Sequence, residues 1–320
     1  NISMKRNILL VLLSVLLLSA GWLGLSGLSS LVALVPLLII SENLGPSRRD
    51  WWRMCGLAAI CFLLWNAVTI WWVWIATPIG PITAAIVGSF YNLVAFMTYH
   101  YTVKRAPRAL AYTLLVTLWI ATEWAYTSAD VMTFPWLLLG HGFSGDVWAV
   151  QWYEFTGNLG GSLWVLLSNI AIFEAWHNRS RWSVVRAGVV VLLPIAVSLA
   201  MYWSYKPSER LVKVSVMQPN VDCYEEKFSD NATWQMQNIG DLFSSVPRDT
   251  RVVVLPETAL PERLNDDKPL QSGNILTLRE LVEEQCADAM VVAGASTIKF
   301  YPKGVAPSET ARRGDGYYYD

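Results

Sequence analysis

Two short segments of this 320-residue chain combine residue types and positions that can do chemistry. Gln218-Pro219-Asn220 follows residues 211–217, where Val212, Val214 and Val216 share one face and Lys213 and Ser215 the other. That alternation is the period of a strand. Pro256-Glu257-Thr258-Ala259 follows the apolar run 251–255, the pattern of a strand covered on both faces. A carboxylate at the end of a strand is a candidate general base, although a lone loop Glu is more commonly a solvated charge. The chain has three histidines and none lies beyond residue 206. His-based acid–base work, a Ser-His-Asp triad and a His-rich metal site are therefore excluded from the C-terminal part. If that part is catalytic, a carboxylate is the base.

The elements that must position Glu257 follow from the same periodicities. A polar, helix-permissive stretch spans about 225–243, a helical pattern covers 274–286, and 290–295 reads as another buried strand. The order β-α-β-α-β predicts a layered α/β domain with neighbouring parallel strands. Chemistry in such a domain sits at the carboxyl ends of the strands, where both candidate segments lie.

The composition divides the chain. It is 54% hydrophobic and only 15% charged, well short of the quarter charged that is usual for soluble domains. Up to Tyr205 there are eleven Lys plus Arg and seven Asp plus Glu, against thirteen and eighteen in the remainder. Residues 1–206 are therefore expected to form a transmembrane helical domain, and residues 207–320 a soluble one. Apolar runs at about 8–20, 28–40, 54–76, 81–103, 110–127, 160–176 and 184–205 predict seven membrane helices. Gly21, Gly24 and Gly27 mark a tight turn between the first two. The first run also has features of a signal peptide, but the uncharged segment that follows at once favours a retained helix.

Lys and Arg set the orientation. Lys5 and Arg6 precede the first helix, and Arg48, Arg49 and Arg53 lie between helices two and three. Lys104, Arg105 and Arg108 separate helices four and five, while Arg179, Arg181 and Arg186 separate six and seven. The alternate connections, including the long one at 128–159, contain neither residue. By the positive-inside rule the amino terminus is cytoplasmic and the soluble domain lies outside.

That long loop is rich in aromatic side chains, among them Trp136, Trp148 and Trp152. They form either an interfacial aromatic belt or a lipid-facing platform. Glu123 sits inside the fifth helix, where an ionisable group needs a partner or a wet cavity, so a structural and a substrate role are both open. Glu154 is a candidate headgroup contact, and Glu174 reads as a solvated charge. Gly157-Asn158-Leu159-Gly160-Gly161-Ser162 lacks the ending of a phosphate loop and reads as close helix packing. Cys55 and Cys61 read as packed apolar residues. Cys223 and Cys286 have no CxxC spacing, so neither a metal nor redox chemistry is indicated.

At these residues the chain resembles a known family. Val214 to Asn220, followed by Val252-Val253-Val254-Leu255-Pro256-Glu257-Thr258-Ala259-Leu260-Pro261, is similar to the opening of the carbon–nitrogen hydrolase (nitrilase) superfamily. Glu123-Trp124, Phe134-Pro135-Trp136-Leu137 and Glu154 ahead of Gly157 narrow the resemblance to the bacterial apolipoprotein N-acyltransferase family. The resemblance implies an α/β/β/α sandwich on a polytopic inner-membrane bundle, with the catalytic domain periplasmic. It implies acyl transfer from a phospholipid, commonly phosphatidylethanolamine, to the amino group of an apolipoprotein's diacylglyceryl-cysteine. It implies no cofactor, metal or nucleic acid.

The family's triad is Glu–Lys–Cys, and Glu257 matches the Glu. The Lys is expected shortly after Tyr317-Tyr318-Tyr319 and the Cys further on, so both fall past Asp320. Lys299, Lys303, Cys223 and Cys286 are at the wrong places to substitute. The expectation is an N-terminal piece of a longer enzyme, inactive by itself. Many members carry Lys-Trp after the first strand where this chain has Lys227-Phe228, so Phe228 keeps the aromatic bulk without the indole donor. Two other readings stay open: a membrane-anchored amidase using the same triad, and a non-enzymatic transporter or scaffold.

Overall fold

The computed structural model describes residues 2–77, 79–128, 134–222, 232–302, 304–314 and 317–319. Within it the chain divides into two compact units, Asn1–Lys206 and Pro207–Asp320.

The first unit is helical. In chain order it comprises α1 (Ile2–Ser19), a 3-10 turn (Gly27–Val32), α2 (Val35–Asn43), α3 (Arg48–Thr69) and the short α4 (Val73–Ala76). Then come α5 (Gly80–Val103), α6 (Arg108–Ser128), three 3-10 turns between Pro135 and Ala149, α7 (Tyr153–Asn178) and α8 (Arg181–Ser204). Among the described residues four helices are long and apolar enough to cross a membrane: α3, α5, α7 and α8. Two expected helices are interrupted. Residues 28–40 open as a 3-10 turn before α2, with Pro36 in the first turn of α2, and residues 54–76 break after Thr69. The sixth begins earlier than expected, at Tyr153, with a kink at Gly157 (φ 63°, ψ −173°).

Burial explains how these helices assemble. Phe62 and Trp65 of α3, Phe96 of α5 and Trp119 of α6 are fully buried, and Phe62 meets Trp119 and Phe96 edge-on at 5.6 and 6.1 Å. The break before α2 strands backbone groups that a continuous helix would pair, and Asn169 of α7 answers them. Its Oδ1 accepts from Leu34 N at 2.7 Å and Val35 N at 3.2 Å, while its Nδ2 donates to the carbonyls of Ser30 and Val165, each at 2.8 Å.

The connections gather at two ends. At one end the turn after α1 receives the 134–152 loop: a Cβ on Gly21 or Gly27 would lie 2.1 or 2.2 Å from the Gly142 carbonyl oxygen. Asp146 Oδ2 accepts from Gly27 N at 2.7 Å and from Ser26 Oγ at 3.0 Å. Trp22 Nε1 donates to the Trp136 carbonyl, and Trp72, just ahead of α4, meets the Trp136 ring edge-on. At the other end Arg108 bridges Glu42 at 2.6 Å and Glu174 at 3.0 Å, and His177 pairs with Glu42 at 2.8 Å. Glu174 is not a solvated charge. It also accepts from Tyr112 and Asn178 and ties α6 to α7.

The second unit holds the sheets, and its sheet content is small. Strands β1 (Val214–Val216), β2 (Val252–Val254) and β4 (Met290–Val292) form one parallel sheet in the order β1-β2-β4, with Val214 opposite Val252 and Val252 opposite Met290. Helix α9 (Ala232–Phe243) lies between β1 and β2 in sequence. Strand β3 (Arg263–Asn265) and helix α10 (Gly273–Cys286) lie between β2 and β4. Met236, Ile239 and Phe243 of α9 and Leu278, Val282 and Cys286 of α10 bury Val253. Val214 and Val216 of β1 and Met290 and Val292 of β4 are exposed, and Val252 and Val254 of β2 are half-buried, so among the described residues the helices cover only one face of this sheet. Strand β3 pairs in parallel with β5 (Ser296–Ile298), and β6 (Phe300–Tyr301), β8 (Tyr317–Tyr319) and β7 (Arg312–Gly314) form an antiparallel sheet in that order.

Candidate functional site

Both strand-end segments come together. The parallel ladder continues past the strands, with Met217 N bonded to Val254 O and Leu255 N to Val292 O, each at 2.8 Å. It delivers Gln218–Val221 and Pro256–Ala259 to the same edge of the sheet. These residues, with Gln235 and Ile239 of α9, line a cleft of about 340 Å³. Asn238 of α9 donates to the Pro219 carbonyl at 2.9 Å and fixes the first segment. Asn220 (φ 52°) and Thr258 (φ 48°) both occupy the left-handed region, which non-glycine residues enter at a cost of about 1–3 kcal/mol. Two of the three such residues described in the chain border one cleft.

Glu257 lies on the turn after β2 with its side chain exposed at the rim of that cleft. Among the described residues no hydrogen bond or ion pair restrains its carboxylate. Its chemistry is that of an accessible carboxylate carried by a fixed turn, suited to taking a proton from a group that enters the cleft. Glu262 differs. It receives a hydrogen bond from Ser272, whose hydroxyl also caps α10 at Ile275 N, so it serves the helix start. Cys286 is buried in the helix–sheet core, and burial pushes its thiol pKa up, which makes it a packing residue rather than a nucleophile. Lys299 is exposed between β5 and β6. Phe228, with Lys227, Cys223 and Lys303, lies outside the described residues.

The helical unit holds the other candidates. Glu123 is buried, and its Oε1 accepts from Trp119 Nε1 at 3.0 Å and from Leu139 N at 2.9 Å. Beside it Ser162 accepts from Gly140 N at 3.0 Å, and Tyr153 donates to the Gly140 carbonyl at 2.9 Å. Gly140 and Gly161 allow this approach, since a Cβ there would fall within 2 Å of Asn158 O or Tyr153 Oη. Trp152 is half-buried against Tyr153 and Trp164, whereas Trp136 is exposed. Glu154, in the first turn of α7, is exposed next to the highly exposed Phe155. Glu123 and Trp152 are thus drawn into the packing of the loop, while Trp136 and Glu154 face outward.

Sequence reasoning missed Gly294, Asn238, Asn169 and Asp146. Only Gly294 left a local signal, a glycine inside the apolar run 290–295.

A bundle of apolar helices followed by an α/β unit with a carboxylate cleft defines a membrane protein carrying a candidate catalytic edge. Residues 8–171 match the apolipoprotein N-acyltransferase N-terminal domain, half of the chain, and the chain belongs to that family. It is 28% identical over 254 residues to an apolipoprotein N-acyltransferase of Chlorobaculum tepidum, covering 74% of this chain and 46% of the relative. It is 26% identical over 263 residues to the enzyme of that name from Gloeobacter violaceus, covering 75% and 47%. The chain spans about half the length of the curated relatives it matches.

Proposed function

We propose that this chain serves lipoprotein N-acylation at a bacterial inner membrane, moving an acyl chain from a phospholipid to the amino group of a diacylglyceryl-cysteine. Phosphatidylethanolamine is the donor implied by the family resemblance. The observation that carries the reading is Glu257, exposed at a cleft built by both strand-end segments, in a chain whose membrane half matches this family.

In this reading Glu257 takes the proton of a cysteine thiol supplied, as in the family, by a residue past Tyr319. The thiolate attacks the ester carbonyl, the C–O bond breaks, and the lysophospholipid oxygen leaves carrying the proton. The amine then attacks the thioester carbonyl, Glu257 takes a proton from its nitrogen and passes it to the sulfur, and the C–S bond breaks to return the thiol. A lysine stabilises the oxyanion in both steps. Residues 207–320 are read as the opening of the carbon–nitrogen hydrolase sandwich, which suits a parallel sheet with one apolar face still exposed.

Seven crossings with a cytoplasmic amino terminus fit the two ends of the bundle. The turn after α1, the α3–α5 elbow and the 134–152 loop, all without Lys or Arg, meet at one end. Glu42, Arg108, Glu174 and His177 meet at the other. Ser198 of α8 bonds Trp148 O and Gln151 N, so the chain leaves the bundle on the loop side. Exposed Trp136, Phe155 and Glu154 are assigned to lipid contact there, with Phe228 as a substrate contact and Glu123 as the anchor of the loop. Two lipid-borne reactants are thereby confined to one surface, which raises their effective concentration.

Depleting the gene product and weighing lipoprotein N-termini by mass spectrometry tests this. The expected result is accumulation of diacylated termini with a free amine, restored by re-expression. Unchanged termini would favour the amidase reading.

A further inference from the structure

We propose that Gly294 is a positioning residue for Glu257: its missing side chain is the seat on which the turn carrying the carboxylate rests. The inference rests on the reading of Glu257 as the base and adds what holds it in place.

Since no side chain among the described residues restrains the Glu257 carboxylate, the only fixed constraint on its reach is the backbone of residues 256–258 from which it extends. That backbone is held from two sides. On one, it continues β2, whose Leu255 N is bonded to Val292 O. On the other, Gly294 N donates to the Pro256 carbonyl at 3.2 Å, just past the end of β4. The approach at this second point is closer than any other residue permits. A Cβ on Gly294 would lie 2.7 Å from Thr258 N, 2.8 Å from Glu257 Cα and 2.9 Å from Pro256 O. All three are backbone atoms, which cannot swing aside as a flexible side chain can. Relief of the clash must therefore separate the backbone at Gly294 from that of residues 256–258, and the Gly294 N–Pro256 O bond that seats the turn is strained with it.

Thr258 points the same way. A β-branched residue at φ 48° is an outlier, and such a conformation persists only where surroundings impose it. A side chain on Gly294 would fall 2.7 Å from the Thr258 amide nitrogen. The contact that excludes a Cβ is thus also placed to hold the strained turn, and the strain falls on the residue next to the carboxylate. Gly273, by contrast, has open space where its Cβ would be.

The test uses the whole gene product in phospholipid vesicles, comparing Gly294→Ala, Gly273→Ala and Glu257→Gln with the parent. Acyl-enzyme formation, donor KM and protease resistance are measured, the first across pH. A misplacement of about 1 Å at a reacting centre costs about 10²-fold. Gly294→Ala should therefore slow acylation about 10²-fold at pH 7 with donor KM and protease resistance unchanged. The deficit should shrink as pH rises through the ordinary thiol range near about 8.5, because a thiol that ionises by itself no longer needs the displaced base. Gly273→Ala should match the parent. A parental rate for Gly294→Ala, beside an inactive Glu257→Gln, overturns the positioning role alone. A loss that tracks loss of protease resistance reduces Gly294 to a folding residue and overturns it equally. A fully active Glu257→Gln removes the functional reading and this inference with it.

Discussion

The Asp146 carboxylate accepts the Gly27 amide at 2.7 Å and so fastens the turn after the first helix to the long aromatic loop. Asp146 is buried and also accepts from Ser26 Oγ. Removing it leaves a buried amide without an acceptor, which costs about 1–3 kcal/mol. Asp146→Ala should lower the detergent melting temperature of the helical unit. Asp146→Asn, which keeps an acceptor oxygen, should lose less than half as much. Equal melting of Asp146→Ala and parent would mean that the turn and loop are held by packing alone.

Asn169 makes a stronger case, because one side chain satisfies two stranded amides and two carbonyls. It is almost wholly buried. Asn169→Ala should cost about 2–4 kcal/mol by leaving several buried polar groups unpaired. Asn169→Asp retains the acceptor for Leu34 and Val35 but cannot donate to Ser30 and Val165, so it should be no rescue. Chemical denaturation in detergent measures both, and a near-neutral Asn169→Ala would show that the break before α2 does not need the cap.

Topology has a direct check at Ser144, which is exposed on the loop between α6 and α7. Cys61 and Cys286 are buried and Cys55 is half-buried. Ser144→Cys should therefore add labelling by an impermeant thiol reagent in intact spheroplasts above the parent background. Extra labelling seen only after lysis would reverse the orientation and put the α/β unit on the cytoplasmic side.

Glu257→Gln preserves the shape of the side chain and removes its basicity. A placed base contributes about 10²–10⁴ in rate, so acyl-enzyme accumulation in the whole gene product should fall by that factor while membrane insertion persists. The neighbouring Glu262 is a poor comparison because it braces the start of α10 through Ser272. Glu284, exposed on α10, is the better one, and Glu284→Gln should acylate at the parent rate. Acylation at the parent rate by Glu257→Gln would make the carboxylate structural.

Much of this architecture was legible in the chain alone. Long apolar runs mark segments that satisfy their backbone as helices in lipid, and α3, α5, α7 and α8 lie on four of them. Alternation at 211–217 and the apolar run at 251–255 located β1 and β2, and with them the loop that carries Glu257, because both signals are local. Local signals misled where a partner decided the outcome. Residues 28–40 look like one helix, yet Asn169, far along the chain, supplies the bonds that let the segment break. Glu174 looks like a solvated charge until Arg108 and Tyr112 arrive from another helix. Gly294 is the clearest instance. Its role consists of the atoms that a side chain would strike, and those belong to Pro256, Glu257 and Thr258, which only the parallel pairing of β2 with β4 brings within reach.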